Sequence, residues 1–387
     1  MNNFGVFTTD PYHRIASLLL SPNNLASERE IYDLISTVDK NKLFSVLKGN
    51  ELVSIVYEEI EQYLDKEQRD YWKIEHDAVE GRISVMFEEL SVVGEAFKQK
   101  KLKVVALKNG GIAQFKDESY AKHPMGDIDL FVDQSQFKDA HKAIIDCGFT
   151  LKFRSEFEED NFDAALINGA TEYYKEIGKF GTMWLELSDR AVSGRWINPD
   201  NEPKSKDLIG NSYEGKINGI YILSPEDNLL QVSLHTAKHS YFRAPGFRLH
   251  LDVQRIVEAC EIDWNLFVRK VEHANAKSSV YFSLLFAKEL IGANVPSEVI
   301  EKIRPNKVKI KLVYFLLKHF SLYERFEFNR LAFIIFQVLL YDNMRDVFRV
   351  ALPPKSEIKN RYSTFPFPIG YIIHVLDLVG IRKKFKK

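Results

Sequence analysis

Apolar positions in the first hundred residues recur at helical spacing. Ile83, Met86, Leu90, Val93 and Phe97 lie three and four apart, which predicts a helix between Asp65 and Lys100 with one buried face. Glu58, Glu59, Glu61, Glu88 and Glu89 read as solvated faces of such helices. The pattern changes at Leu102. Val104, Val105, Ala106 and Leu107 form a short apolar run that predicts a buried strand, ending in a turn at Lys108-Asn109-Gly110-Gly111. A helix is expected over 112–120, a second strand over 127–132, and a helix over 137–147 stopped by Gly148. A further strand is expected over 149–153. Residues 171–177 and 182–188 alternate around Gly178-Lys179-Phe180-Gly181, as the arms of a hairpin do.

From Ser224 the helical period returns. Ser224-Pro225-Glu226-Asp227 combines an N-cap serine, proline at the first helical position and acids on the positive end of the helix dipole. That helix is expected to run through Leu229, Leu230, Leu234 and His235 toward His239, and further helices over 251–260, 264–274, 279–290, 307–320, 330–340 and 371–379. The pattern divides the chain into a helical region, 1–100, an α/β core, 101–222, and a C-terminal helical domain, 223–387. There is no internal repeat and no low-complexity segment.

Composition narrows the function classes. The 387 residues carry 53 Lys and Arg against 54 Asp and Glu, without the basic excess of a general nucleic-acid binder. Apolar residues at 45% suffice for a core, so wholesale disorder is excluded. Cys147 and Cys260 are the only cysteines, too few for a disulfide scaffold or a four-cysteine zinc site. No apolar run reaches the roughly 18 residues of a membrane span, and Met1 to Asp10 does not read as a secretory signal. A cytoplasmic protein is expected. The final run, Ile381-Arg382-Lys383-Lys384-Phe385-Lys386-Lys387, reads as a solvated terminus or as a contact for anionic lipid or nucleic acid.

The candidate chemistry centres on Asp127 and Asp129. Side chains two apart on a strand share a face, so two carboxylates converge beside Ile128, Leu130 and Phe131. Like charges so placed repel and raise one another's pKa unless a cation sits between them. Oxygen ligands of this kind suit Mg²⁺ or Mn²⁺. The turn Lys108-Asn109-Gly110-Gly111 either serves packing or lets backbone N–H groups approach a phosphate. It lacks the lysine and hydroxyl residue that follow the last glycine of a P-loop, which excludes a Walker-type ATPase, and no GxGxxG is present. His235 and His239 are four apart on one helical face, with Asp252 as an expected partner; they read as cleft residues or as core histidines.

A strand, a Gly-Gly turn, a helix and then a strand bearing Asp-Ile-Asp together resemble the DNA polymerase β-like nucleotidyltransferase superfamily. More closely, the chain is similar to an uncharacterised nucleotidyltransferase family within it. The matching pieces are Val105-Ala106-Leu107-Lys108, the run from His123-Pro124-Met125-Gly126 through Asp127-Ile128-Asp129, Trp184-Leu185-Glu186-Leu187, residues 229–239 and Leu251-Asp252-Val253. The family glycine after lysine falls on Asn109, and its arginine before the first aspartate falls on His123.

The resemblance implies an α+β fold with a mixed nucleotidyltransferase-type sheet flanked by N- and C-terminal helical regions. It implies Asp127, Asp129 and Glu186 as catalytic metal ligands, with Glu172, Glu176 and Asp189 as fallbacks for the third carboxylate. Lys108, Asn109, Gly110, Gly111 and His123 would contact the nucleotide. The implied reaction moves an NMP group from an NTP, with Mg²⁺ or Mn²⁺, to a hydroxyl or phosphate on a small molecule, sugar or peptide. The competing classes are a non-catalytic nucleotide- or sugar-phosphate-binding module and a helical scaffold; the last leaves the Asp-x-Asp strand unexplained.

Overall fold

The computed structural model describes residues 10–21, 27–152, 170–190, 201–243, 245–320, 330–362 and 365–378. The basic run 381–387 lies outside them.

At the centre is a mixed seven-stranded sheet of order β3-β4-β5-β2-β1-β7-β6. Its strands are β1 (Val104–Leu107), β2 (Asp127–Phe131), β3 (Thr150–Lys152), β4 (Ala170–Glu176), β5 (Thr182–Ser188), β6 (Tyr213–Glu214) and β7 (Ile220–Ile222). β1 is antiparallel to β2 and parallel to β7, and β2 is parallel to β5. β4 and β5 form the expected hairpin, with Gly178 and Gly181 at positive φ in its connection. The α+β expectation holds.

Strand alternation decides which face each residue takes. Val104, Ala106, Ile128, Leu130, Leu185 and Leu187 point to one face, where the expected helix face of Ile83, Met86, Leu90, Val93 and Phe97 covers them. That helix spans Lys66–Gln99 and is started by a capping box between Asp65 and Gln68. A second helix, Phe137–Asp146, packs on the same side and ends, as expected, before Gly148 at φ 86°. The opposite face carries Val105, Leu107 and Phe131, covered by Leu208, Ile209 and Leu223, and leaves the aspartates of β2 uncovered by apolar packing.

The helix after β1 differs from expectation. The segment after β1 is helical over Lys108–Ile112, not 112–120, so the glycine pair lies inside the helix rather than before it. Close packing explains the placement. A Cβ on Gly111 would lie 2.6 Å from the carbonyl oxygen of Ala106, and one on Gly110 would lie 3.3 Å from Ile128. Only glycine lets this turn fold back onto its own strand.

The remaining helices build a separate core. Ser224 caps Pro225–Lys238, as its sequence predicts, and the helices Gly246–Ala259, Trp264–His273, Lys277–Ile291 and Lys307–His319 follow. Ile15, Ile35, Leu47 and Val56 from the N-terminal helices join Leu230, Val253, Phe282 and Leu317 in one apolar cluster.

Candidate metal centre and cleft

β2 and β5 assemble the acidic cluster. Asp127 and Asp129 share the face opposite Ile128 and Leu130, and the parallel register places Glu186 directly beside Asp129. Met183, Leu185 and Leu187 are buried on the other side of β5, which leaves Glu186 half-buried on the acidic face. Carboxylate oxygens of Asp127, Asp129 and Glu186 all lie within 4.8 Å of one another, the one such group among the described residues. Of the fallback acids, Glu172 lies across from Glu186 in the β4–β5 register. Glu176 accepts a hydrogen bond from Thr182 Oγ1 at 2.6 Å. Burial pushes Asp189 up to about 6, against the pull of Arg190.

The cluster contains its own cation. Lys108 Nζ lies 2.6 Å from Asp129 Oδ1. The lysine backbone has φ 52°, a left-handed conformation that non-glycine residues adopt at some cost, and it turns the chain sharply where β1 ends. Because β1 and β2 pair antiparallel with Leu107 opposite Asp129, the next residue emerges beside the acids. Burial alone lowers the lysine pKa, but the charges of Asp129, Asp127 and Glu186 outweigh it and raise it overall. The amino group is therefore fully charged.

Asp127 behaves differently. Its surface is open to solvent at the start of β2. Crowding by surrounding protein, followed by repulsion from Asp129, nevertheless raises its pKa to about 6, with Lys108 opposing. The strained charge of the cluster is on Asp127, while Asp129 has a direct counter-ion. Hard oxygen donors with one under-neutralised carboxylate fit a divalent cation.

Asn109 donates from its side chain to the carbonyl of Pro124 at 2.8 Å, tying the turn to the segment that enters β2. His123 is buried, with Nε2 3.2 Å from Glu118 Oε1. That hydrogen bond, against the effect of burial, draws Glu118 down to about 2. Arg82, on the Lys66–Gln99 helix, donates to the carbonyls of Phe180 and Thr182 at 2.7 and 3.0 Å, fixing the start of β5.

The C-terminal helices approach the site from another side. Gly246–Ala259 packs on the Lys108–Ile112 turn. Its Arg248 is buried between Glu51 Oε2 at 2.7 Å and Asp252 Oδ2 at 3.4 Å. Asp252 therefore pairs with the arginine one helical turn earlier, not with either histidine. Glu51, at φ 58° in the N-terminal region, also bears electrostatically on Asp127. Arg255 donates to the carbonyl of Lys122.

His235 and His239 stack edge to face with centroids 5.0 Å apart. Burial and nearby cations, Lys108 and Arg248 among them, push His235 well below its ordinary pKa, and burial with Arg243 and Lys238 takes His239 to about 3. Both rings are neutral near pH 7, and the Nδ1 atoms are buried without a hydrogen-bond partner. Arg248, Arg255, Glu51 and Arg82 escape the sequence reading. The i,i+4 spacing of Arg248 and Asp252 is a weak signal, whereas Glu51 approaches only through the tertiary fold.

No curated protein and no solved structure matches the chain. A family described as an uncharacterised nucleotidyltransferase matches residues 36–292, a span that takes in the glycine turn, the three acids, Glu51, Arg248 and both histidines, and the chain belongs to that family.

Proposed function

We propose that the protein is a metal-dependent nucleotidyltransferase that moves an NMP group from an NTP onto a hydroxyl or phosphate of a small-molecule, sugar or peptide acceptor. The observation that carries the reading is the convergence of Asp127, Asp129 and Glu186 from neighbouring strands onto one small volume. These three carboxylates would hold Mg²⁺ or Mn²⁺, which supplies charge neutralisation for the transferring phosphoryl group and its leaving pyrophosphate. Glu186, half-buried beside Asp129, would accept the proton of the acceptor hydroxyl. Lys108, paired with Asp129, brings a positive charge to the site that would be available to the phosphates. The neutral imidazoles of His235 and His239, with buried Nδ1 atoms to satisfy, would line the cleft for nucleotide or acceptor.

A second reading is a non-catalytic nucleotide- or sugar-phosphate-binding module. The Lys108–Asp129 ion pair favours it, since an amino group already neutralises one of the acids. Calorimetry with each NTP and Mg²⁺ or Mn²⁺, followed by transfer assays on a cell extract with α- and γ-labelled NTP, separates the two. Label moving from the α position, and lost in Asp127→Ala, supports transfer. Binding that survives Asp127→Ala with no transfer to any acceptor sinks it.

A further inference from the structure

Charge is distributed very unevenly along this near-neutral chain. From Lys307 to Lys387 there are 16 Lys and Arg against 6 Asp and Glu, while residues 1–306 carry 37 against 48. The basic segment begins after the family match ends at residue 292. It also concentrates exposed apolar side chains. Of the 17 exposed large apolar residues among those described, 11 lie between Val308 and Val375.

Their spacing is helical. On Lys307–His319, Val308, Leu312 and Phe315 are 67%, 44% and 51% exposed at i, i+4 and i+7. Exposed Lys307, Lys311 and Lys318 border them. On Met344–Ala351 and just beyond it, Met344, Phe348 and Leu352 repeat the arrangement at i, i+4 and i+8, beside exposed Arg345. The helices Arg330–Leu340 and Phe367–Leu378 each expose further apolar positions three or four apart. Among the described residues no helix is long and apolar enough to cross a membrane.

We infer that the helices Lys307–His319 and Met344–Ala351 dock the protein onto an anionic lipid surface. Large apolar side chains at helical spacing with lysines at their border suit the boundary between headgroups and acyl chains, where apolar burial and attraction to anionic lipid act together. Protein–protein interfaces are depleted in lysine relative to the rest of the surface, whereas exposed Lys307, Lys311 and Lys318 concentrate beside this stripe. The basic excess from Lys307 onward complements an anionic bilayer, and the acidic balance of the preceding 306 residues would keep the catalytic body off it. This inference stands apart from the proposed reaction and survives if that reaction is wrong.

The test is sedimentation of the full chain with phosphatidylcholine vesicles and with vesicles containing about 30% phosphatidylglycerol, at low and high salt. Binding to the anionic vesicles only, released by salt, is expected. The triple variant Lys307→Glu, Lys311→Glu, Lys318→Glu should weaken it on the order of a hundredfold, at roughly fivefold per charge removed from the surface layer. Leu312→Ser with Phe315→Ser should also release the protein, and Asp127→Asn should bind as wild type does. Circular dichroism confirms that each variant is folded; if one is not, the salt titration of wild type decides. Equal binding to neutral and anionic vesicles overturns the inference, as does no binding to either. It also fails if the same variants abolish binding to a DNA duplex, or dissociate a dimer, while vesicles are ignored.

Discussion

Removing the Asp127 charge should stabilise the metal-free protein, and the pH dependence makes the idea testable. Asp127 titrates at about 6 in the fold against an ordinary value of 3.8, so the folded state holds that proton more tightly than the unfolded chain. A raised folded pKa contributes stability that is full below pH 4 and is lost as pH rises through about 6. The shift of about two units corresponds to roughly 3 kcal/mol, but the carboxylate is open to solvent, and screening reduces the expected value to about 1 kcal/mol. Asp127→Asn cannot ionise and should lack this loss. Urea denaturation in EDTA at pH 4.5 and 7.5 gives the comparison. The variant should gain about 1 kcal/mol relative to wild type between the two pH values. A wild-type-to-variant difference that stays constant across this range, or a variant that becomes relatively less stable at pH 7.5, would refute the assignment of the strained charge to Asp127.

Other outcomes follow from neighbouring residues. Lys108→Met leaves the buried Asp129 without its 2.6 Å partner and should cost about 2 kcal/mol in EDTA, with much of that loss absent in an Asp129→Asn background, as a double-mutant cycle in urea would show. Gly111→Ala forces a Cβ against the Ala106 carbonyl and should destabilise by about 1–3 kcal/mol, measured by urea midpoint; a change below the error of the midpoint would remove the packing argument for this glycine. Wild type should gain about 2.7 kcal/mol from NTP and Mg²⁺ at a hundredfold above Kd, and Asp129→Asn should gain nothing at the same concentrations, read as thermal shifts. Glu186→Gln should lower turnover while retaining part of nucleotide binding; wild-type turnover in this variant would direct attention to Glu172.

Much of the architecture was legible because its causes are local. Alternation in residues 127–132 set two aspartates on one face, the spacing of Ile83 through Phe97 specified a long helix with one buried face, and Ser224-Pro225 marked a helix start from the chemistry of its first turn. The glycine pair was visible too, but its role was not. Whether Gly110 and Gly111 face a phosphate or their own strand depends on where Ala106 and Ile128 come to lie.

What the tertiary structure alone decided are the relations between distant residues. Glu186 meets Asp129 because β5 pairs parallel to β2 in one register, and a slip of one residue would turn Glu186 to the apolar face. Asp252 could pair with His235 or His239 on sequence grounds and instead holds Arg248, which reaches across to Glu51 in a turn between two N-terminal helices. The sequence placed Lys108 beside a phosphate turn, and the fold turned it onto Asp129, while burial and the charge of Asp129 raise the pKa of Asp127. Periodicity and capping act within a few residues and are written in the order of the side chains. Counter-ions and strand register join residues that only folding brings together, and their energies depend on distances that the order of residues does not contain.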